Sequence, residues 1–73
     1  DMKVLADLIK AEVTSKLDHK NLSIEVPEFT TLNPTAENIS VCIHRWLRPH
    51  ISADIKIKVT LYETPRNYVE FND

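Results

Sequence analysis

The stretch Ile55-Lys56-Ile57-Lys58-Val59-Thr60-Leu61-Tyr62 alternates apolar and polar residues without a break. A period of two belongs to a strand with one buried face. Thr64-Pro65-Arg66-Asn67 then supplies turn chemistry, and Tyr68-Val69-Glu70-Phe71 resumes the extended pattern. The spacing predicts a strand from Ile55, a turn, and a second strand, which together form an antiparallel β-hairpin.

Upstream the period changes. Ile39, Cys42, Ile43, Trp46, Leu47 and His50 follow the i, i+3, i+4, i+7, i+8, i+11 series of an amphipathic helix, with Arg45 and Arg48 mostly on its solvated side. Asn33-Pro34 is expected to open this helix, with Asn as N-cap and Pro at the first helical position. Pro49 marks its end, since an interior proline would break the backbone ladder. Residues 22–32 carry Pro27 and three hydroxyl residues with no sustained period, and read as a surface loop. Before them, Met2, Leu5, Ile9, Val13 and Leu17 recur nearly every four residues and predict a first amphipathic helix over residues 2–17. That helix stops at Asp18-His19-Lys20-Asn21, where His and Lys suit the negative end of the helix dipole.

The fold class is therefore α+β, two helices followed by a hairpin, with residues 1–73 forming part of a single domain. A two-stranded hairpin is marginal in water, and two helices would smother it, so partner strands are expected from an N-terminal part, another chain, or both. The start Asp1-Met2-Lys3-Val4-Leu5 enters a helix almost at once and reads like a sequence joined partway through.

Composition narrows the function. The 73 residues are 42% apolar and 27% charged, the balance of a chain that packs a core, although at this size only about 60% of the unfolded surface is buried. A net charge of -2 gives no footprint for nucleic acid or anionic lipid. No apolar run reaches a membrane span, no signal peptide is visible, and the lone Cys42 forms no internal disulfide, so a cytoplasmic setting is the expectation. With no glycine in the chain, Gly-rich phosphate loops are excluded.

Three places could carry chemistry. Glu63 continues the parity of Ile55, Ile57, Val59 and Leu61 onto the helix-covered face, where a carboxylate needs donors and suggests a ligand offering N–H groups. Alternatively the strand has ended and Glu63 points into solvent. Asp18-His19 pairs a carboxylate with an imidazole, useful for general acid-base work, or is a helix-dipole histidine beside a solvated aspartate. His44 and His50 lack zinc-ligand spacing, and Cys42 on the apolar stripe reads as a core thiol rather than a nucleophile.

Taken together, Leu17-Asp18-His19-Lys20-Asn21-Leu22, Asn33-Pro34-Thr35-Ala36-Glu37-Asn38-Ile39 and Tyr62-Glu63-Thr64-Pro65-Arg66-Asn67-Tyr68 resemble, in order, the family that contains 6-pyruvoyl-tetrahydropterin synthase and 6-carboxytetrahydropterin synthase. The resemblance covers essentially the whole chain as the C-terminal half of that family. It implies a tunnelling fold lacking here its N-terminal strand pair, assembly as a homo-trimer or hexamer with active sites between subunits, and a small-molecule pterin substrate. By the same resemblance Asp18 and His19 are catalytic, Glu63 anchors the pterin ring, and Thr35 lies in the segment lining the pterin pocket. The implied reaction converts 7,8-dihydroneopterin triphosphate to 6-carboxytetrahydropterin, as in queuosine biosynthesis, or to 6-pyruvoyl-tetrahydropterin; the Glu63-Thr64-Pro65 form leans towards the former. The family's zinc ligands and cysteine base are expected outside this chain, which by itself should turn over nothing. The alternative is a non-catalytic pterin-binding or oligomerisation module of the same fold; a helix-hairpin interaction domain with accidental matches is the third reading.

Overall fold

A computed structural model of the chain describes residues 2–17, 26–29 and 31–73. The first helical run comprises α1 (Met2–Ile9), a π-helical turn (Lys10–Thr14) and α2 (Ser15–Leu17), so residues 2–17 are helical as expected and its ends adjoin residues outside those described. A spacing of four residues overshoots an α-helical turn, so a stripe built on it drifts around the helix. The i→i+5 winding of the π turn, marked by the Ser15 N–H on the Lys10 carbonyl, takes up more residues per turn and reverses that drift. Val13 is thereby buried, whereas Met2, Leu5 and Ile9 stay exposed.

A 3₁₀ turn (Pro27–Phe29) follows. It corrects the surface-loop expectation, because Val26 and Phe29 are only 2% and 3% exposed and belong to the core with Val13, Cys42, Trp46 and Leu47. Two buried apolar side chains outweigh the lack of a period in so short a segment. The Trp46 indole N–H donates to Glu28 Oε2 at 2.6 Å, and Lys16 Nζ sits 4.7 Å from the centre of the Trp46 ring.

Helix α3 (Ala36–Leu47) runs into a 3₁₀ turn (Arg48–His50) that contains Pro49. Its N-cap is Thr35, not Asn33. Thr35 Oγ1 accepts the Asn38 N–H at 3.2 Å, and Asn33 contributes its carbonyl instead, to the Thr35 N–H and the Asn38 side-chain amide, both at 2.8 Å. Asn38 thus closes both ends of the entry turn, leaving Pro34 ahead of the helix. The expected stripe packs on the first helical run, except that His50 leaves it to reach Glu12 Oε1 at 2.9 Å with a side chain 43% exposed. A second stripe, Ser40 and His44, is also buried, because α3 is covered on its other side by the hairpin.

The sheet is β1 (Lys58–Thr64) paired antiparallel with β2 (Asn67–Asn72), Val59 opposite Phe71 and Leu61 opposite Val69. The first strand starts three residues later than the alternation suggests. Asn72 is the last partner, opposite Lys58, and the Ile55 N–H is spent locally on the Ser52 carbonyl at 3.0 Å, so Ile55 lies exposed in a bend. No helix among the described residues is long and apolar enough to cross a membrane.

Helix and hairpin are tied together by Asp73. Its backbone N–H donates to the Ile57 carbonyl at 3.2 Å, and its Oδ2 accepts the Ile57 N–H at 3.0 Å. His44 Nε2 lies 2.6 Å from Asp73 Oδ1 and the Arg48 guanidinium bonds Oδ2. Arg48, expected on a solvated face, also donates to the Ile51 and Ser52 carbonyls, since three acceptors converge at the helix end. The His44 ring meets Phe71 edge-on, with centroids 4.9 Å apart. Arg45 lines the same hollow and stays exposed.

The Asp73 carboxyl is held below its ordinary value of 3.8, first by the Ile57 N–H, with His44 and Arg48 adding to it. A depressed folded-state value means that the contribution is complete above that ordinary value and is lost as pH falls through the lowered one. Asp73→Asn should lower the melting temperature at neutral pH and flatten the acid limb of the stability curve below about pH 4, the ordinary carboxylate range; an unchanged acid limb would count against this role. Thr35→Ala should cost about 1 kcal/mol in denaturant unfolding followed by Trp46 fluorescence, and no loss would mean that the cap is dispensable.

Candidate functional site

Glu63 sits where the ladder slips. Tyr62 pairs with Tyr68 and Thr64 with Asn67, so Glu63 is the one extra residue of β1 and has no cross-strand partner. It forms a β-bulge, a feature that bends a strand and redirects a side chain. The parity from Ile57 through Val59 and Leu61 points inward, but at Glu63 it meets the bulge, and the residue is exposed. Neither sequence reading holds whole: the strand continues through Glu63, yet the carboxylate is exposed at the turn end of the hairpin. No hydrogen bond or ion pair holds it among the described residues, so its acceptor sites are available.

Its surroundings come from the same turn. Thr64 Oγ1 accepts the N–H groups of Arg66 at 3.3 Å and Asn67 at 3.1 Å, closing the turn through a side chain. On the other side of the bulge, the rings of Tyr62 and Tyr68 lie 5.2 Å apart and are 60% and 52% exposed, an apolar surface on the sheet away from α3. Sequence reasoning placed Glu63 but passed over Thr64 and the tyrosine pair. The available signal was a Thr two and three residues before the N–H groups of a turn.

Thr35 lies on a different element, at the start of α3. Its hydroxyl is committed to the Asn38 N–H, and no hydrogen bond or ion pair joins it to Glu63. Asp18 and His19 lie outside the described residues. Among the described residues no group of three or more His, Cys, Asp or Glu side chains could hold a metal ion. His44 and His50 each face a carboxylate, on opposite sides of α3, and Cys42 is buried with its thiol pushed up by burial and by the nearby Glu28 carboxylate. The described residues therefore offer no set of side chains that would hold the zinc implied by the resemblance, and Cys42 is placed as a core thiol.

Comparison with known proteins identifies the family of the sequence. The sequence pattern of the family described as "6-pyruvoyl tetrahydropterin synthase" matches residues 1–73. The chain is 39% identical over 67 residues to the 6-pyruvoyl tetrahydrobiopterin synthase of Dictyostelium discoideum, covering 92% of this chain and 49% of that protein. It is 40% and 39% identical over 70 residues to the proteins of that name from Pongo abelii and Homo sapiens, covering 92% of this chain and 48% of each. The chain thus spans about half the length of these relatives. No solved structure matches it. With the match running the full length of its helices and hairpin, this chain belongs to the 6-pyruvoyl tetrahydropterin synthase family.

Proposed function

We propose that this chain supplies the pterin-holding part of a pterin-forming lyase, in which Glu63 anchors the substrate's ring. The single observation that carries this is the Glu63 carboxylate, exposed on a bulge and without a partner among the described residues. A carboxylate accepts two N–H bonds side by side, and a pterin presents an amino group and an adjacent ring N–H in that geometry. Bonds to a charged acceptor are the stronger kind, and this pair would set both affinity and orientation.

The substrate class is 7,8-dihydroneopterin triphosphate. The names of the relatives favour a 6-pyruvoyl product, while the Glu63-Thr64-Pro65 sequence favours the 6-carboxy one; mass analysis of the product separates them. Asp18 and His19 are proposed to move a proton at the substrate side chain, with Asp18 orienting the imidazole. Thr35 is placed in the pocket segment by resemblance, with its present geometry that of a helix cap. Among the described residues no further strand pairs with either edge of the β1–β2 hairpin, and we propose that these edges are filled in a tunnelling fold by the rest of the domain and by neighbouring subunits in a trimer or hexamer. The metal and the base would come from outside the described residues; this chain's own part is holding the ring and handling a proton.

In the protein carrying this segment, Glu63→Gln should weaken neopterin binding about tenfold or more, as loss of a charged acceptor implies. Binding at wild-type strength would overturn the assignment. His19→Ala should lower kcat by about a hundredfold or more while leaving neopterin affinity within a few-fold; unchanged kcat would remove His19 from the mechanism. Neopterin binding without turnover by the unsubstituted protein would mark a pterin-binding module rather than a lyase.

A further inference from the structure

We infer that Thr64 is the positioning residue for Glu63, fixing the aim of the anchor carboxylate through the hairpin turn. This rests on the reading of Glu63 given above, and it starts from a mechanical problem. A residue in a regular ladder is aimed by the pairing of its own backbone, but Glu63 is the bulged residue and is paired with nothing across the strand. Its direction must be set by the residues on either side. Tyr62 on one side is held by its pairing with Tyr68 and the contact of their rings. Thr64 on the other side opens a two-residue turn, Pro65-Arg66.

That turn lacks the usual residues at its centre. Two-residue hairpin turns favour glycine or asparagine at the central positions, because the backbone there adopts positive φ. Here they are Pro65 and Arg66, in a chain without glycine. Pro65 also has no N–H to contribute. The two N–H groups that follow, of Arg66 and Asn67, are both taken by Thr64 Oγ1, at 3.3 and 3.1 Å. Thr64 is β-branched, so few χ1 settings are open to it, and one that satisfies both donors fixes its backbone as well. The peptide unit between Glu63 and Thr64 is held by that constraint. Loss of the hydroxyl frees the turn, and a carboxylate without a cross-strand partner is the first group to lose its aim.

The experiment uses the protein carrying this segment and compares Thr64→Val, Thr64→Ser, Glu63→Gln and the double variant Glu63→Gln/Thr64→Val by neopterin fluorescence titration. Thr64→Val keeps the shape and removes the oxygen; it should weaken binding about fivefold, the effect of one ordinary hydrogen bond. Thr64→Ser should restore it. The double variant should bind as Glu63→Gln does, because a residue that acts through Glu63 adds nothing once the anchor is gone. Amide exchange at Arg66 and Asn67 should quicken in Thr64→Val alone of the two Thr64 variants. Wild-type binding by Thr64→Val beside weakened binding by Glu63→Gln overturns this inference and leaves the anchor standing. Wild-type binding by Glu63→Gln overturns both. Equal losses in Thr64→Val and Thr64→Ser, or additive losses in the double variant, show a general structural role and overturn the positioning.

Discussion

The carboxylate of Asp73 is the point at which helix and sheet become one structure. Without it the hairpin would rest on α3 through Phe71, Val59 and Leu61, half-buried side chains with little directional preference. The exchange of bonds between Asp73 and Ile57 pins the residue ahead of β1 to the residue beyond β2, and His44 and Arg48 pin both to the end of α3. Two donors, the Ile57 N–H and the Arg48 guanidinium, meet one carboxylate there with the His44 imidazole close by, and hydrogen bonds to a charged acceptor are the stronger kind. The side chain is 18% exposed, so the water that would weaken the contact has limited access.

That clamp allows α3 to serve two layers. One side of the helix carries Ile39, Cys42, Ile43 and Trp46 against the first helical run and the turn at Pro27–Phe29. The other carries Ser40 and His44 beneath the hairpin. Ser40 is satisfied locally on this second side by donating to the Glu37 carbonyl at 2.7 Å, and His44 Nε2 lies 2.6 Å from the Asp73 carboxylate. The polar residues that look like breaks in the stripe are the packing surface for the sheet.

The far end of the hairpin lies away from that clamp. The clamp acts at Lys58 and Asn72, so the turn at Pro65-Arg66 lies at the opposite end of both strands. There the ladder accommodates one extra residue without disturbing the core, and that residue is Glu63. A rigid base with a separately closed tip is the support that the proposed ring-holding role of Glu63 would require. Exposed apolar residues at Met2, Val4, Leu5, Ile9 and Ile55 border an open groove between the first helical run and the lead into β1.

Much of this was legible in the chain's text. Alternation from Ile57 to Tyr62 and the Thr64-Pro65 turn specified the hairpin, the i, i+3, i+4 series specified α3, and Glu63 stood out because a carboxylate at an inward position is expensive without donors. Such signals are local, carried by side chains a few residues apart. The bulge that releases Glu63 from that parity depends on which residues pair across the strands, and periodicity alone does not encode register. Ile55 fell outside the strand because its N–H is spent on the Ser52 carbonyl three residues earlier. Asn33 yielded the cap to Thr35 because Asn38 reaches both. Asp73, an unremarkable acid in the text, became the clamp only when folding brought Ile57, His44 and Arg48, 16 to 29 residues earlier, to one carboxylate. The sequence by itself determined the elements and the family; the tertiary structure decided what Glu63 faces and what holds helix to hairpin, since long-range pairing is a property of the folded whole.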